Sequence, residues 1–191
     1  MTLRVVLASG SPRRRELLSQ LGIEIDVRPS DIDETPLPGE QPTEYVRRLA
    51  LGKAAVAAEM VGPDDIVIAA DTTVEIDGRI LAKPDGEEHA AAMLRAIRGR
   101  THHTHTGVAV RRGAQVECAV VTTAVEFADL SDAEINWYVG TGEPLDKAGA
   151  YAIQGRAAAY VRAVHGSVTN VVGLPLTETL ELVSRVGGAI R

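Results

Sequence analysis

Two serines, a glycine and three arginines crowd together near the start of the chain, in Leu7-Ala8-Ser9-Gly10-Ser11-Pro12-Arg13-Arg14-Arg15. Ser11 suits a helix N-cap, and Pro12 suits the first helical position, where a missing N–H costs nothing. Arginines in the first turn oppose the helix dipole by roughly 0.3–1 kcal/mol each. A helix start with unpaired N–H groups, hydroxyls and surplus positive charge is what a bound polyanion stabilises; the competing reading is a solvated cationic face. Lys53 falls inside the apolar stripe of a helical segment, four residues from Leu49 and four from Ala57, and either snorkels to water or reaches an anion in a cleft. Asp71 ends a buried run, at a place where α/β proteins often put chemistry, and no helix pattern follows for it to cap. Taken together, Ser9, Ser11, Arg13, Arg14, Lys53 and Lys83 supply cations and donors, and Glu34 and Asp71 supply acids. Such a set suits a phosphorylated substrate and a hard divalent cation. The residues by themselves point to phosphate-ester or nucleotide chemistry.

Elements of both periods must position these groups. Leu3 to Leu7 reads as a buried strand, followed by a helix with Leu17, Leu18 and Leu21 on one side. Ile23 to Val27 alternates as a second strand. Pro29 to Pro42 is an acidic, proline-rich loop in which Asp31 reads as solvated and Glu34 stays open. A long helix spans Thr43 to Met60, and a buried strand spans Asp65 to Ala70. Thr73–Ile76, the Asp77-Gly78 turn and Arg79–Leu81 form a hairpin. Glu87 to Ile97 is a helix stopped near Gly99. His102, His103 and His105 sit at a strand entrance with His103 expected to face away from the other two, and no acid or thiol lies near in sequence to complete a zinc set. A second hairpin turns at Arg112-Gly113 and returns over Gln115 to Phe127. Ser131 and Glu134 form a capping box. Gly140 to Gly155 reads as an irregular loop of the length that usually has a function. Ala157 to Val164 reads as a strand, and a last helix follows Pro175. The fold class is α/β, a mixed sheet with flanking helices.

Composition excludes several classes. The 191 residues suit one domain, 1–191, with room for two lobes. Aromatics are only 3%, which argues against stacking on single-stranded nucleic acid. The net charge of −6 argues against a broad basic face for duplexes, so the early arginines read as a local anion site. Cys118 is the one cysteine and reads as a packed core residue, so no disulfide framework forms. There is no signal-peptide pattern, and no apolar stretch approaches the ~20 residues of a membrane span. A soluble, cytoplasmic protein is expected. A Walker loop and a dinucleotide glycine fingerprint are both absent.

Six motifs occur in register. They are Leu7-Ala8-Ser9-Gly10-Ser11-Pro12-Arg13-Arg14, Ala70-Asp71-Thr72, Lys83-Pro84, the run from Gly142-Glu143-Pro144 through Asp146-Lys147-Ala148-Gly149-Ala150-Tyr151, Ile153-Gln154-Gly155, and Asn170-Val171-Val172-Gly173-Leu174-Pro175-Leu176. With them the chain resembles the Maf family of nucleoside triphosphate pyrophosphatases, also called septum formation proteins. The resemblance implies a bilobed mixed-sheet α/β fold with a central cleft for the nucleotide. It implies hydrolysis between the α- and β-phosphates with a divalent cation, Mg²⁺ or Mn²⁺, and a homodimer without nucleic-acid or membrane partners. By position, Asp71 becomes the general base, and Arg13, Thr72 and Gln154 fall where base selectivity is set. Ser9, Arg14, Glu34, Lys53 and Lys83 fill the remaining substrate-binding positions; Glu34 and Asp71 are the carboxylates that could share the metal, whose ligands are otherwise open. Arg15 keeps the reading of a solvated cation. The Asp-Lys-Ala-Gly-Ala-Tyr and Ile-Gln-Gly stretches resemble the branch acting on dTTP and UTP, a housecleaning role, rather than the branch acting on 7-methyl-GTP. Ala82 and Ala152 depart mildly from that branch. Gln154 carries the acceptor and donor that would match the O4 and N3–H edge shared by uracil and thymine, which cytosine reverses. The alternative is a nucleotide-sensing regulator of cell division for which hydrolysis is incidental.

Overall fold

The computed structural model describes residues 4–188. In chain order the elements are β1 (Val5–Leu7), α1 (Pro12–Ser19), β2 (Ile25–Val27), α2 (Pro42–Ala58), β3 (Ile66–Ile76), β4 (Arg79–Leu81), α3 (Glu87–Ile97), β5 (Thr101–Arg112), β6 (Gln115–Phe127), α4 (Asp132–Gly140), β7 (Val161–His165), α5 (Val168–Val172) and α6 (Leu176–Arg185). The strands form a mixed seven-stranded sheet in the order β2-β1-β3-β5-β6-β7, with β4 paired to β3. The fold is therefore α/β, as the sequence pattern predicts. By contacts the chain divides into two compact units.

The first unit holds residues up to Asp71, 106–121, and those from Gly173 on. Here β1 pairs in parallel with β2 and with β3, Val5 opposite Ile25 and Ile66. Its core is built from small residues. Ala50, Ala54 and Ala57 of α2 meet Val6, Val67 and Ala69 of the sheet. The small side chains let backbones approach closely: a Cβ on Gly107 would lie 2.3 Å from the Val46 carbonyl oxygen. The buried face of α2 runs Val46, Leu49, Ala50, Lys53, Ala54 and Ala57, a helical stripe with one charge in it.

The second unit holds 72–105 and 122–172. Its core packs α3 and α4 with Val74, Ile76, Val125 and Phe127 of the strands. Asp77 and Gly78 both take positive φ, 53° and 74°, the two-residue turn that suits a hairpin's twist. Ser131 and Glu134 make the reciprocal capping box that opens α4.

Several expectations shift. The β1 reading included Leu3, which lies outside the described residues. Helix α1 ends at Ser19, leaving Leu21 in the turn beyond. Helix α2 begins one residue early, at Pro42, and Met60 lies past its end. The second hairpin turns at Gly113-Ala114. Residues 156–160 form a 3-10 turn, so β7 begins only at Val161, and 140–155 is folded into two further 3-10 turns rather than left irregular. The histidine orientation is corrected as well. On a strand residues two apart share a face, so His103 and His105 stack with ring centroids 6.1 Å apart, beside Glu75. His102 is the one that turns away, buried edge-on to Phe127 and Tyr151 with Nε2 2.8 Å from the Tyr151 hydroxyl.

Candidate active site

In the first unit, β1 delivers the chain into the Ser9 loop, and Ser11 serves as N-cap to α1 through its backbone alone. Instead of Ser11, the Ser9 hydroxyl oxygen organises the turn: it accepts the Ser11 N–H at 3.3 Å and the Arg14 Nη1–H at 2.9 Å. Arg14 also donates from Nε to the Gly173 carbonyl at 2.7 Å. These bonds fix a buried guanidinium in one orientation. Burial lowers the Arg14 pKa, while the nearby charges of Asp71 and Glu34 work against that and Arg13 adds to it. Arg13 is half-buried and Arg15 is exposed, which keeps Arg15 on the solvent side of the helix.

Lys53 resolves the two readings of its position. It does not snorkel. Its ammonium lies 2.7 Å from Asp71 Oδ1 and 2.5 Å from Glu34 Oε1. The Lys53 and Asp71 side chains are 9% and 11% exposed, whereas Glu34 is 49% exposed. Glu34 sits on the acidic loop, which α2 holds at several points. Ser30 donates to the Lys53 carbonyl, Tyr45 donates its hydroxyl hydrogen to the Glu34 carbonyl, and Arg48 clasps Glu40 and reaches the Thr35 carbonyl. The Glu34 carboxylate is thus held at the buried end of the lysine by a loop stitched to the helix that carries that lysine.

Asp71 is placed differently from expectation. It does not end a strand: β3 runs on through Asp71 and Thr72 to Ile76, with β5 as a neighbour in the sheet and β4 paired to its last three residues, Val74 to Ile76. Burial pushes the Asp71 carboxyl above its ordinary value; Lys53 and then Arg14 pull it back, and Glu34 pushes it up again. The result is an aspartate made more basic than a solvated one and flanked by two fixed cations.

Lys53 thus joins buried Asp71 and half-exposed Glu34 in one ion-paired group in the first unit, and the charge of buried Arg14, fixed by Ser9, acts on Asp71 as well. Thr72 follows Asp71 on β3, half-buried. Lys83, just past β4, and Gln154, in the turn before the third 3-10 segment, are exposed and belong to the second unit. Sequence reasoning missed one backbone group that fixes Arg14 and one side-chain pair in the second unit. The Gly173 carbonyl lies in a quoted motif but carries no side-chain signal. Tyr138 and Glu143 read as a core aromatic and a loop acid, yet the hydroxyl donates to the carboxylate at 2.8 Å. Cys118 is half-buried with its thiol pKa raised by burial, which leaves it unreactive. Among the described residues, no group of three or more His, Cys, Asp or Glu side chains is placed to hold a metal by itself.

Residues 4–186 match the family described as Maf-like protein. A dTTP/UTP pyrophosphatase of Anaeromyxobacter dehalogenans (strain 2CP-C) is 59% identical, the match covering 98% of this chain and 96% of the relative. Proteins of the same name from Myxococcus xanthus (strain DK1622) and Pelotomaculum thermopropionicum are 54% and 49% identical; each match covers 96% of this chain, and it covers 92% and 96% of the two relatives. The solved structure of the Staphylococcus aureus Ham1 protein overlaps 66% of this chain and 72% of its own, at 18% identity and a TM-score of 0.44, too distant to argue from.

Proposed function

The chain belongs to the Maf family, and we propose that it is a nucleoside triphosphate pyrophosphatase that cleaves dTTP and UTP between the α- and β-phosphates. The names of near-full-length relatives support the substrate pair. The observation that carries the chemistry is buried Asp71, beside Lys53 and Arg14. Attack on the α-phosphorus needs an in-line water that loses a proton, and the departing pyrophosphate needs its charge offset. Asp71 takes the proton: burial makes it the better acceptor, and Lys53 and Arg14 restrain that upward shift, favouring its ionised form. Arg14, held by Ser9 and Gly173, offers a guanidinium to the phosphates without reorganising, Lys53 is a second fixed cation beside Asp71, and Lys83 adds a point charge on a flexible stem. Arg13, Thr72 and Gln154 select the base, with the Gln154 amide matched to the O4 and N3–H edge.

The two carboxylates fit a hard divalent cation. Glu34 and Asp71 already share one positive charge, the Lys53 ammonium, and oxygen donors of this kind bind Mg²⁺ or Mn²⁺ together with substrate phosphates. Those two residues would hold the ion, which when bound neutralises triphosphate charge. A cytoplasmic homodimer with no nucleic-acid or membrane partner completes the reading. No helix among the described residues is long and apolar enough to cross a membrane.

The test is pyrophosphate release from dTTP, UTP, CTP and 7-methyl-GTP with Mg²⁺ or Mn²⁺. Asp71→Asn is expected to lose about 10²–10⁴-fold in rate, as removal of a general base does, while nucleotide binding persists. Inorganic phosphate as first product, or full activity in Asp71→Asn, would overturn the proposal.

A further inference from the structure

We propose that Tyr138 and Glu143 are positioning residues for Gln154, clamping both ends of the turn that carries it so that its side chain starts toward the base from one fixed backbone position. The proposal rests on the reading of Gln154 as a base-selecting residue.

Gln154 is an exposed side chain in a short turn, a setting that ordinarily leaves an amide free to reorient. The backbone beneath it is not free. Before Gln154, the Ala152 N–H donates to the Tyr138 hydroxyl oxygen at 3.1 Å. After it, the Arg156 N–H donates to both Glu143 oxygens, at 2.9 and 3.2 Å. The two anchors are joined, because the Tyr138 hydroxyl donates its own hydrogen to Glu143 Oε1 at 2.8 Å. Between them the Gly155 N–H closes the turn onto the Ala152 carbonyl at 2.9 Å. Ala152, Gln154 and Arg156 therefore ride on one relay of hydrogen bonds that starts in the core of the second unit.

The relay is anchored in the core of the second unit. Tyr138 is fully buried on α4 and packs edge-on against Tyr160. Its hydroxyl is used as both donor and acceptor, which locks the phenol proton toward Glu143. Burial pushes the Glu143 carboxyl up, but the Arg156 N–H and the Tyr138 hydroxyl outweigh it and hold the group ionised. Contact with the turn is close: a Cβ on Gly155 would lie 2.3 Å from Glu143 Oε1, so a side chain there has to push the carboxylate off the turn. Gly155 has an ordinary φ of −106°, so its identity answers to this approach and not to backbone conformation. The Gly142-Glu143-Pro144 and Ile153-Gln154-Gly155 stretches, separate in sequence, are thus the two sides of one clamp.

Nothing in this arrangement touches Asp71 chemistry, so its signature is selectivity rather than turnover. The experiment measures kcat/KM for UTP and for CTP by pyrophosphate release in wild type, Tyr138→Phe, Gln154→Ala and the double variant, with thermal melts alongside. Tyr138→Phe deletes the two relay bonds while keeping the ring. It is expected to reduce the UTP-over-CTP ratio by about tenfold, the size of a lost oriented hydrogen bond, with kcat for UTP near wild type. The double variant is expected to be no less selective than Gln154→Ala alone. Should Tyr138→Phe fold poorly, Gly155→Ala gives the same readout from outside the core, since its methyl group forces the Glu143 carboxylate and the turn apart. An unchanged ratio in these variants, or losses that multiply in the double, overturns the clamp while leaving Gln154 in its role. An unchanged ratio in Gln154→Ala overturns both together.

Discussion

Replacing Lys53 by methionine removes a charge and keeps the stem. The ammonium lies 2.7 Å from Asp71 Oδ1 with both side chains about nine-tenths buried, so water screens the pair little. Glu34, its other partner, is half-exposed and adds less. Removing one member of a buried pair strands the other charge, at a cost of about 3–5 kcal/mol. In a chain of this length 1 kcal/mol moves the melting temperature by about 2–4 °C, so at pH 8 the variant should melt at least ~6 °C lower. The pH dependence is the sharper criterion. Asp71 has a folded-state pKa above its unfolded value of 3.8, so the folded protein holds that proton more tightly. Its contribution to stability is therefore fullest in acid and is lost as pH rises through the folded value. Lys53 opposes that rise, so without it the folded value climbs and protonation relieves the stranded charge. The melting gap between wild type and Lys53→Met should be widest at pH 8 and narrow toward the ordinary aspartate range. Calorimetry of the nucleotide-free proteins from about pH 4.5 to 8.5 measures it, and groups common to both chains cancel in the difference. The double variant Lys53→Met/Asp71→Asn carries neither charge and should regain most of the loss at pH 8. A gap independent of pH, or a double variant weaker than the single, would refute the reasoning.

Other perturbations have defined outcomes. Gly107→Ala would drive a methyl group to 2.3 Å from the Val46 carbonyl oxygen, and because that neighbour is helix backbone it cannot yield cheaply; urea titration should show a loss above about 2 kcal/mol. Ser131→Ala removes the hydroxyl half of the α4 capping box and is expected to cost about 1 kcal/mol, read as a melting shift of about 2–4 °C. Burial holds the His102 imidazole down to about 4, from an ordinary 6.5. Because the unfolded chain binds that proton first, the stability from neutral His102 is present above pH 6.5 and is lost as pH falls toward 4. The NMR titration of its ring should show no midpoint between pH 6 and 8, and one there would mean the ring is not desolvated as described.

What was legible in the sequence was written in neighbours, and what was not was written across long separations. Helix α3, the Asp77-Gly78 turn and the Ser131 capping box occupy the residues their patterns mark, because the partners of those signals lie within four positions. Lys53 stood out for a related reason: an apolar stripe repeating at helical spacing makes one lysine in it an exception that needs a partner. The stripe could announce the exception but not name Asp71, eighteen residues on, or Glu34 on a loop whose position depends on Tyr45 and Arg48. The same limit explains the misplaced strand end at Asp71, since β3 continues alongside β5, thirty residues and more further on, and pairs at its end with β4. It also explains the start of the expected Ala157 strand, where the chain is still in a 3-10 turn closed by Ala158 N–H on the Gly155 carbonyl and the Arg156 N–H is taken by Glu143. Arg14 is the extreme case, because the Gly173 carbonyl that fixes it lies 159 residues away and every residue has such a carbonyl. A charge in the wrong place is therefore the part of a buried polar site that a single sequence exposes, and the acceptor that makes the place right is the part that only folding reveals.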